Sequence, residues 1–268
     1  MKQPGTWLTP EEARWAIDNE RGQGVRIAVI DSGLEWDHPF LVGAKLSDNI
    51  GILEDRGRIL TVEGEGADVY GHGTAVAGVV HEMAPQAEIG VFRVLDARNL
   101  SRTAVIREGV RQAMQRGYNI INCSFGCKSG ARSVMLFKEW VDEAWLRGIH
   151  VVAACNNYNL YEPEWPGHFT SVITVNMART ESDHVYHRSG HMVQFGAKGE
   201  NVPVAWLGGN TEIKTGSSFA VPRVTGLVAR ILTVAPKISP SLLHDLLCRI
   251  AHPWTPELEC DSPAALTP

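Results

Sequence analysis

The sequence has little that would tie it to a membrane, a nucleic acid or an oxidising compartment. No apolar run approaches the roughly 20 residues needed to cross a bilayer as a helix. The N-terminal Met1-Lys2-Gln3-Pro4-Gly5-Thr6-Trp7 lacks the apolar core of a signal peptide. A net charge of −5 offers no basic face to a phosphate backbone or an anionic lipid surface. The five cysteines (Cys123, Cys127, Cys155, Cys248, Cys260) are odd in number and lack framework spacing. That favours thiols over disulfides and a reducing, cytoplasmic setting. There is no internal repeat and no low-complexity segment. The expected metal and cofactor content is none, and nothing speaks to the oligomeric state.

What is present is an alternation of apolar strands and amphipathic helices over 268 residues, a length that suits one α/β domain with a large core. Thr9-Pro10-Glu11-Glu12 has the pattern of a capping box with proline at the first helical position, so a short helix runs to Asn19. The Val/Ile density of Val25 to Ile30 predicts a strand buried on both faces in a parallel sheet. Asp31 then stands at its carboxyl end. Residues 43–71 are rich in Gly, Asp and Glu, with Ile59-Leu60-Thr61-Val62 as a small edge strand or half a hairpin. A small-residue helix runs from His72 to about Met83, and a buried strand covers Ala87 to Asp96. The spacing of Val105, Ile106, Val110 and Met114 predicts a helix to Arg116.

Strands follow at Asn119–Gly126 and Ile149–Ala154, with an amphipathic helix over about Ser133 to Trp145 between them. Another strand, Ser171 to Val175, follows the Trp165-Pro166-Gly167 turn. Residues 183–209 read as loops and short strands. A long apolar helix starts near Phe219, and a last one spans about Pro240 to Ala251 with Ser239 as N-cap. The expected fold class is α/β, in three layers, with a mainly parallel central sheet and helices on both faces. Residues 1–251 form the domain. Residues 252–268, with four prolines, form an extended or loose tail.

The chemistry centres on Thr215-Gly216-Ser217-Ser218-Phe219-Ala220-Val221-Pro222. Pro222 is tolerated only if the helix is just beginning. Ser218 therefore sits at a helix N-terminus, where free N–H groups and the dipole favour negative charge. A serine that must become an alkoxide-like nucleophile gains from that position. Alone, the segment is equally compatible with Ser217 or Ser218 as a helix cap. Two further segments bear on the choice. Asp31-Ser32-Gly33 ends the first strand, and Gly71-His72-Gly73-Thr74-Ala75-Val76-Ala77-Gly78 sets a histidine between glycines at a helix start. Asp, His and Ser in this order form one of the several orders in which a nucleophilic triad occurs.

These three segments closely resemble those of the subtilisin-like serine proteases (subtilases), and the resemblance runs from about Trp7 to about Ala251. It implies a serine endopeptidase acting on a peptide or protein substrate by acyl transfer. Ser218 would be the nucleophile, His72 its base and Asp31 the carboxylate that orients His72. Ser124-Phe125-Gly126 matches the run whose backbone edge pairs with the substrate. Cys155-Asn156-Asn157 stands where the family has Ala-Ala-Gly-Asn, and by position Asn156 takes the role of oxyanion donor. Cys155, in place of a glycine, is expected to crowd the pocket beside it. Glu164, just before Trp165-Pro166-Gly167, falls at the floor of the pocket for the residue before the cut. That implies Arg or Lys in the pocket, the alternative being a Glu164 that faces solvent. The aromatic-Pro-Gly turn also implies a cis Trp165–Pro166 bond.

Departures from the family narrow the reading further. His38-Pro39 is followed by Phe40 rather than an aspartate, and no loop is inserted near His81-Glu82-Met83-Ala84-Pro85. The high-affinity calcium site of secreted members is therefore not expected. Only 30 residues precede Asp31, which implies unaided folding or a pro-segment already removed. An unrestrained intracellular protease endangers its cell, so narrow specificity, as of a maturation protease, is expected. A peptide macrocyclase or transamidase would use the same residues, but the insertion such members carry beside the active site is not evident. The remaining readings are a catalytically idle peptide-binding module and a thiol enzyme on Cys123, Cys127 or Cys155. The thiol enzyme lacks a second histidine motif.

Overall fold

The computed structural model describes residues 7–128 and 130–260, so positions 261–268 of the expected tail lie outside the described residues. Helix α1 (Pro10–Asn19) starts as its sequence requires. The Thr9 hydroxyl accepts the Glu12 N–H at 3.2 Å, and the Glu12 carboxylate accepts the Thr9 N–H at 2.8 Å. Strand β1 (Arg26–Asp31) is followed by an antiparallel hairpin of β2 (Lys45–Asp55) and β3 (Arg58–Glu63). Then come α2 (His72–Met83), β4 (Glu88–Arg93), α3 (Thr103–Gln115), β5 (Ile120–Cys123), α4 (Ala131–Leu146) and β6 (His150–Ala154). The second half contains β7 (Ile173–Ala178), β8 (Tyr186–His187), β9 (Phe195–Lys198) and a separate hairpin of β10 (Val202–Trp206) and β11 (Asn210–Lys214). Helices α5 (Ser217–Val234) and α6 (Pro240–Ile250) and the short β12 (His252–Pro253) complete the chain.

Ten strands form one sheet in the order β12-β8-β9-β7-β6-β5-β1-β4-β2-β3. Every pairing from β9 across to β2 is parallel. Helices cover both faces, which gives the three layers. The alternation of β1 shows it directly. Ile27 and Val29 join the core beneath α1, α2, α5 and α6, while Ala28 and Ile30 join the core beneath α3 and α4. Each such buried Val or Ile contributes on the order of 1.5–3 kcal/mol of transfer free energy, so β1 anchors both layers.

This topology determines where chemistry can sit. From β1 the chain builds the β4-β2-β3 side first, then crosses to β5 and adds β6, β7 and β9 on the other side. The carboxyl end of β1 thus opens at the point where the strand order reverses, the usual ligand crevice of an open α/β sheet. Asp31 is the last residue of β1.

Two regions differ from the sequence expectations. Strand β2 has no simple counterpart in the reading of 43–71, because only Ile50, Gly51 and Ile52 of its eleven residues are buried and its pairing with β4 shifts register between Leu46 and Asn49. The start of the tail is docked rather than loose. The His252 N–H donates to the Val185 carbonyl (2.9 Å) and the Trp254 N–H to the His187 carbonyl (3.0 Å). The Trp254 ring lies against Gly196, where a Cβ would meet it at 2.3 Å. Among the described residues no helix is long and apolar enough to cross a membrane.

Candidate active site

Asp31 is fully buried, and its Oδ1 accepts two hydrogen bonds, from the Ser32 N–H (2.8 Å) and from His72 Nδ1 (2.8 Å). His72 opens α2 and is buried save for an edge of its ring. Gly73 makes this approach possible, since a Cβ there would stand 2.1 Å from the Gly33 carbonyl oxygen. The histidine helix and the Asp31-Ser32-Gly33 turn touch backbone to backbone. Burial alone would lower the His72 pKa, but the charge of Asp31 and its hydrogen bond outweigh it. Asp68 adds to the rise and Lys214 opposes it, and the net effect holds the imidazole above its ordinary value.

Ser218 is the second residue of α5 and reaches solvent, whereas residues 219–229 behind it are all buried. Phe219 packs on His72 with ring centroids 5.5 Å apart, which brings the start of α5 to the imidazole. The segment ahead of Ser218 is tied to the end of β6. The Ser217 hydroxyl donates to the Cys155 carbonyl (2.9 Å), and the Ser217 N–H donates to Asn157 Oδ1 (2.8 Å). A methyl placed on Gly216 would stand 3.3 Å from Ser218 Oγ and 3.6 Å from Asn157 Nδ2. The Asn157 amide nitrogen and the Ser218 hydroxyl therefore face the same space.

This corrects the position expected for the asparagine. Asn156 is buried and its amide is engaged elsewhere. Its Oδ1 accepts the N–H groups of Tyr158 (2.8 Å) and Asn159 (3.0 Å), and its Nδ2 donates to Glu164 Oε1 (3.0 Å) and Glu162 Oε2 (3.3 Å). Asn157, one residue later, is the one beside Ser217. The signal was available in the Asn-Asn pair, which allows either residue to occupy the place once Cys155 replaces glycine.

Asn156 instead holds the carboxylates of Glu162 and Glu164. Residues 124–126 lead on from β5, and Cys127 pairs with Trp165 through hydrogen bonds of 3.0 Å in both directions. That pairing lays the Glu164 side chain over Gly126, where a Cβ would come within 2.1 Å of Glu164 Oε2, so any larger residue there would displace the carboxylate. Ser124 is buried and its hydroxyl accepts from Asn122 Nδ2 (2.9 Å), while Phe125 packs against the core beneath α3 and α4. The Cys155 thiol contacts Asn176 Oδ1 of β7 at 3.5 Å. Burial first, and Glu164 second, push the thiol up to about 12. Burial raises Cys123 as well, so neither is poised as a thiolate nucleophile. Burial raises the Glu164 carboxyl, Lys128 pulls it back and Glu162 pushes it up again. Lys128 pairs with Glu162 at 3.1 Å on the rim. The Trp165–Pro166 bond is cis.

Sequence reasoning also missed Asp68, whose carboxylate lies behind His72 and accepts hydrogen bonds from Ser32, Tyr70, Gly71 and Thr74. No motif marks it. Among the described residues, no group of three or more His, Cys, Asp or Glu side chains is disposed to hold a metal ion.

Comparison with known proteins gives the family and the fold. The model of the subtilase family matches residues 22–262. The chain is 30% identical over 253 residues to an intracellular serine protease of Paenibacillus polymyxa, covering 86% of this chain and 73% of that protein. It is 28% identical to subtilisin DY of Bacillus licheniformis, covering 86% and 85% respectively. Among solved structures, a cold-adapted subtilisin-like serine proteinase superposes with a TM-score of 0.70 at 25% identity, over 86% of this chain and 83% of that one. Sphericase shares the fold with a TM-score of 0.71 at 23% identity, over 91% and 89%. A buried Asp–His pair at a sheet switch point, a serine at the mouth of a buried helix and a family match across nearly the whole length lead to one conclusion: the chain belongs to the subtilase family and is a subtilisin-like serine endopeptidase.

Proposed function

We propose that Ser218, His72 and Asp31 form the catalytic triad of a protease that cuts peptide or protein substrates after a basic residue. The observation that carries the triad is the 2.8 Å bond from His72 Nδ1 to the buried Asp31, which fixes the proton on Nδ1 and leaves Nε2 as the base. His72 Nε2 takes the Ser218 proton as Oγ attacks the scissile carbonyl, and Asp31 stabilises the imidazolium that results. The oxyanion is held by the Ser218 N–H, free at the helix N-terminus, and by Asn157 Nδ2. When the tetrahedral intermediate collapses, His72 delivers its proton to the leaving amine, and water then resolves the acyl-enzyme by the same route in reverse.

Specificity is assigned to Glu164 because its carboxylate lies over Gly126, at the end of the 124–126 run read as the edge that pairs with substrate. A guanidinium brought there would meet that carboxylate with two parallel hydrogen bonds. The cytoplasmic setting is supported by the buried Cys123 and Cys155 thiols and by likeness to a protein named as an intracellular protease. Labelling of Ser218 by an organophosphorus reagent, lost in Ser218→Ala, tests the nucleophile. Cleavage-site profiling on a peptide library tests the basic preference. Retention of wild-type turnover by Ser218→Ala would refute the assignment.

A further inference from the structure

Resting on the triad reading, we propose that Asp68 is a positioning residue for His72: its ionised carboxylate locks the Asp31 turn to the start of α2 and supports the imidazolium formed during catalysis. Five donors meet this one side chain. Its Oδ1 accepts the Ser32 hydroxyl (2.8 Å) and the N–H groups of Tyr70 (2.9 Å) and Gly71 (2.8 Å). Its Oδ2 accepts the Thr74 N–H (2.9 Å) and hydroxyl (2.6 Å). Ser32 directly follows Asp31, and its hydroxyl in turn accepts the Gly73 N–H at 2.9 Å. Gly71, Gly73 and Thr74 bracket His72. The carboxylate thus bridges the two backbone segments whose spacing sets the Asp31–His72 bond.

The same arrangement makes Asp68 an electrostatic element. Burial opposes its charge, but the hydrogen bonds from Thr74, Gly71 and Tyr70 outweigh that and keep its carboxyl below the usual range, so it is ionised wherever the enzyme works. The charged groups that act on His72 are Asp31 from β1, Asp68 from the loop before α2 and Lys214 from β11. Lys214 is paired with Glu212 at 2.5 Å and lies over the Trp206 ring, which leaves the two aspartates as the negative field at the imidazole. Asp31 touches the ring. Asp68 acts through the frame that holds it and through its charge.

Asp68→Asn separates these contributions from mere folding, because the amide keeps the shape but loses the charge and sets a donor against donors. Rates are measured per competent site, counted by titration with a peptidyl phosphonate. In Asp68→Asn, kcat should fall roughly 10- to 100-fold, the scale of a small misplacement of reacting groups. KM should stay within about threefold of wild type. Removing a negative charge lowers the imidazolium pKa, so the acid limb of kcat/KM should move to lower pH by about half a unit. Thr74→Val and Ser32→Ala each remove one hydroxyl donor to Asp68, together with the one N–H which that hydroxyl accepts, and keep the charge, so they should lower kcat less and leave the acid limb in place. A kcat within about twofold of wild type in Asp68→Asn overturns the proposal, as does an acid limb that stays put. If Asp68→Asn yields no competent sites, unchanged kcat in both link variants overturns it instead. Failure of the triad itself would be read separately, as activity surviving in Ser218→Ala.

Discussion

Replacing Glu164 with Gln gives the sharpest test of the substrate assignment. The Glu164 carboxylate accepts one hydrogen bond, from Asn156 Nδ2 at 3.0 Å, and lies flat over Gly126. A P1 arginine would add two charge-assisted bonds, each worth about 1.5–3 kcal/mol. Against this stands the loss of water by both charges, together with the competing Lys128, already bound to Glu162 at 3.1 Å. The net preference for Arg over Phe should therefore be about 2–4 kcal/mol, or roughly 30- to 700-fold in kcat/KM. In Glu164→Gln most of that ratio should vanish, through loss of the Arg rate rather than gain of the Phe rate. The pH dependence adds a second readout. Burial raises the Glu164 carboxyl, so the group is neutral below that raised pKa and charged above it. The Arg/Phe ratio should fall as pH drops through this range in wild type and stay flat in Glu164→Gln. Matched Arg and Phe peptides assayed across pH measure both. A wild type that prefers Phe, or a ratio unmoved by the substitution, would refute the reasoning.

Ser218→Ala, His72→Ala and Asp31→Asn should each lower kcat by roughly 10⁴-fold or more, and pairs should cost little beyond singles, since the three act as a unit. Steady-state rates with circular dichroism as a folding control decide this. Asn157→Ala should cost about 10²–10³ in kcat, the scale known from a subtilisin, with little change in KM. Asn156→Ala should instead move the Arg/Phe ratio, because its amide holds Glu164 rather than the oxyanion. Exchanging calcium for EDTA should move Tm by no more than about 2 °C, since a tight folded-state ion would have to be replaced to do more. Differential scanning calorimetry reads it, and a larger fall would reveal an ion site that the sequence and the structure both leave unmarked.

The parts of the fold that were legible in advance are those where one local signal suffices. The α1 capping box needs only Thr9 and Glu12, and β1 needs only its run of Val and Ile. Strand β2 was not legible, because a half-exposed, bulged strand carries polar residues where a periodic pattern would need apolar ones. Of the proposed site, the Asp31, His72 and Ser218 segments are short and local, so each can be picked out of the sequence. Which asparagine stands beside the serine was not legible, since the Cys155-Asn156-Asn157 run offers two amides and only the tertiary contact of Asn157 with Ser217 distinguishes them. Asp68 could not be found at all. Its meaning depends on Ser32, which lies 36 positions away in the chain and 2.8 Å away in space.

The threading of the sheet also governs when, during synthesis, the proposed site can be complete. Asp31 lies near one end of the chain, whereas Ser218 stands in the first turn of α5 near the other, and the two elements come together only across the completed sheet. A ribosome must release β9, the β10–β11 hairpin and α5 before the proposed nucleophile is in place. α6 and β12 must then follow to cover the core beneath α5 and to extend the sheet past β8. Such non-local closure is slow compared with the folding of single helices. A product truncated before α5 would therefore lack both Ser218, the proposed nucleophile, and Phe219, whose ring packs on His72. In this architecture, activity is the last property the polypeptide acquires.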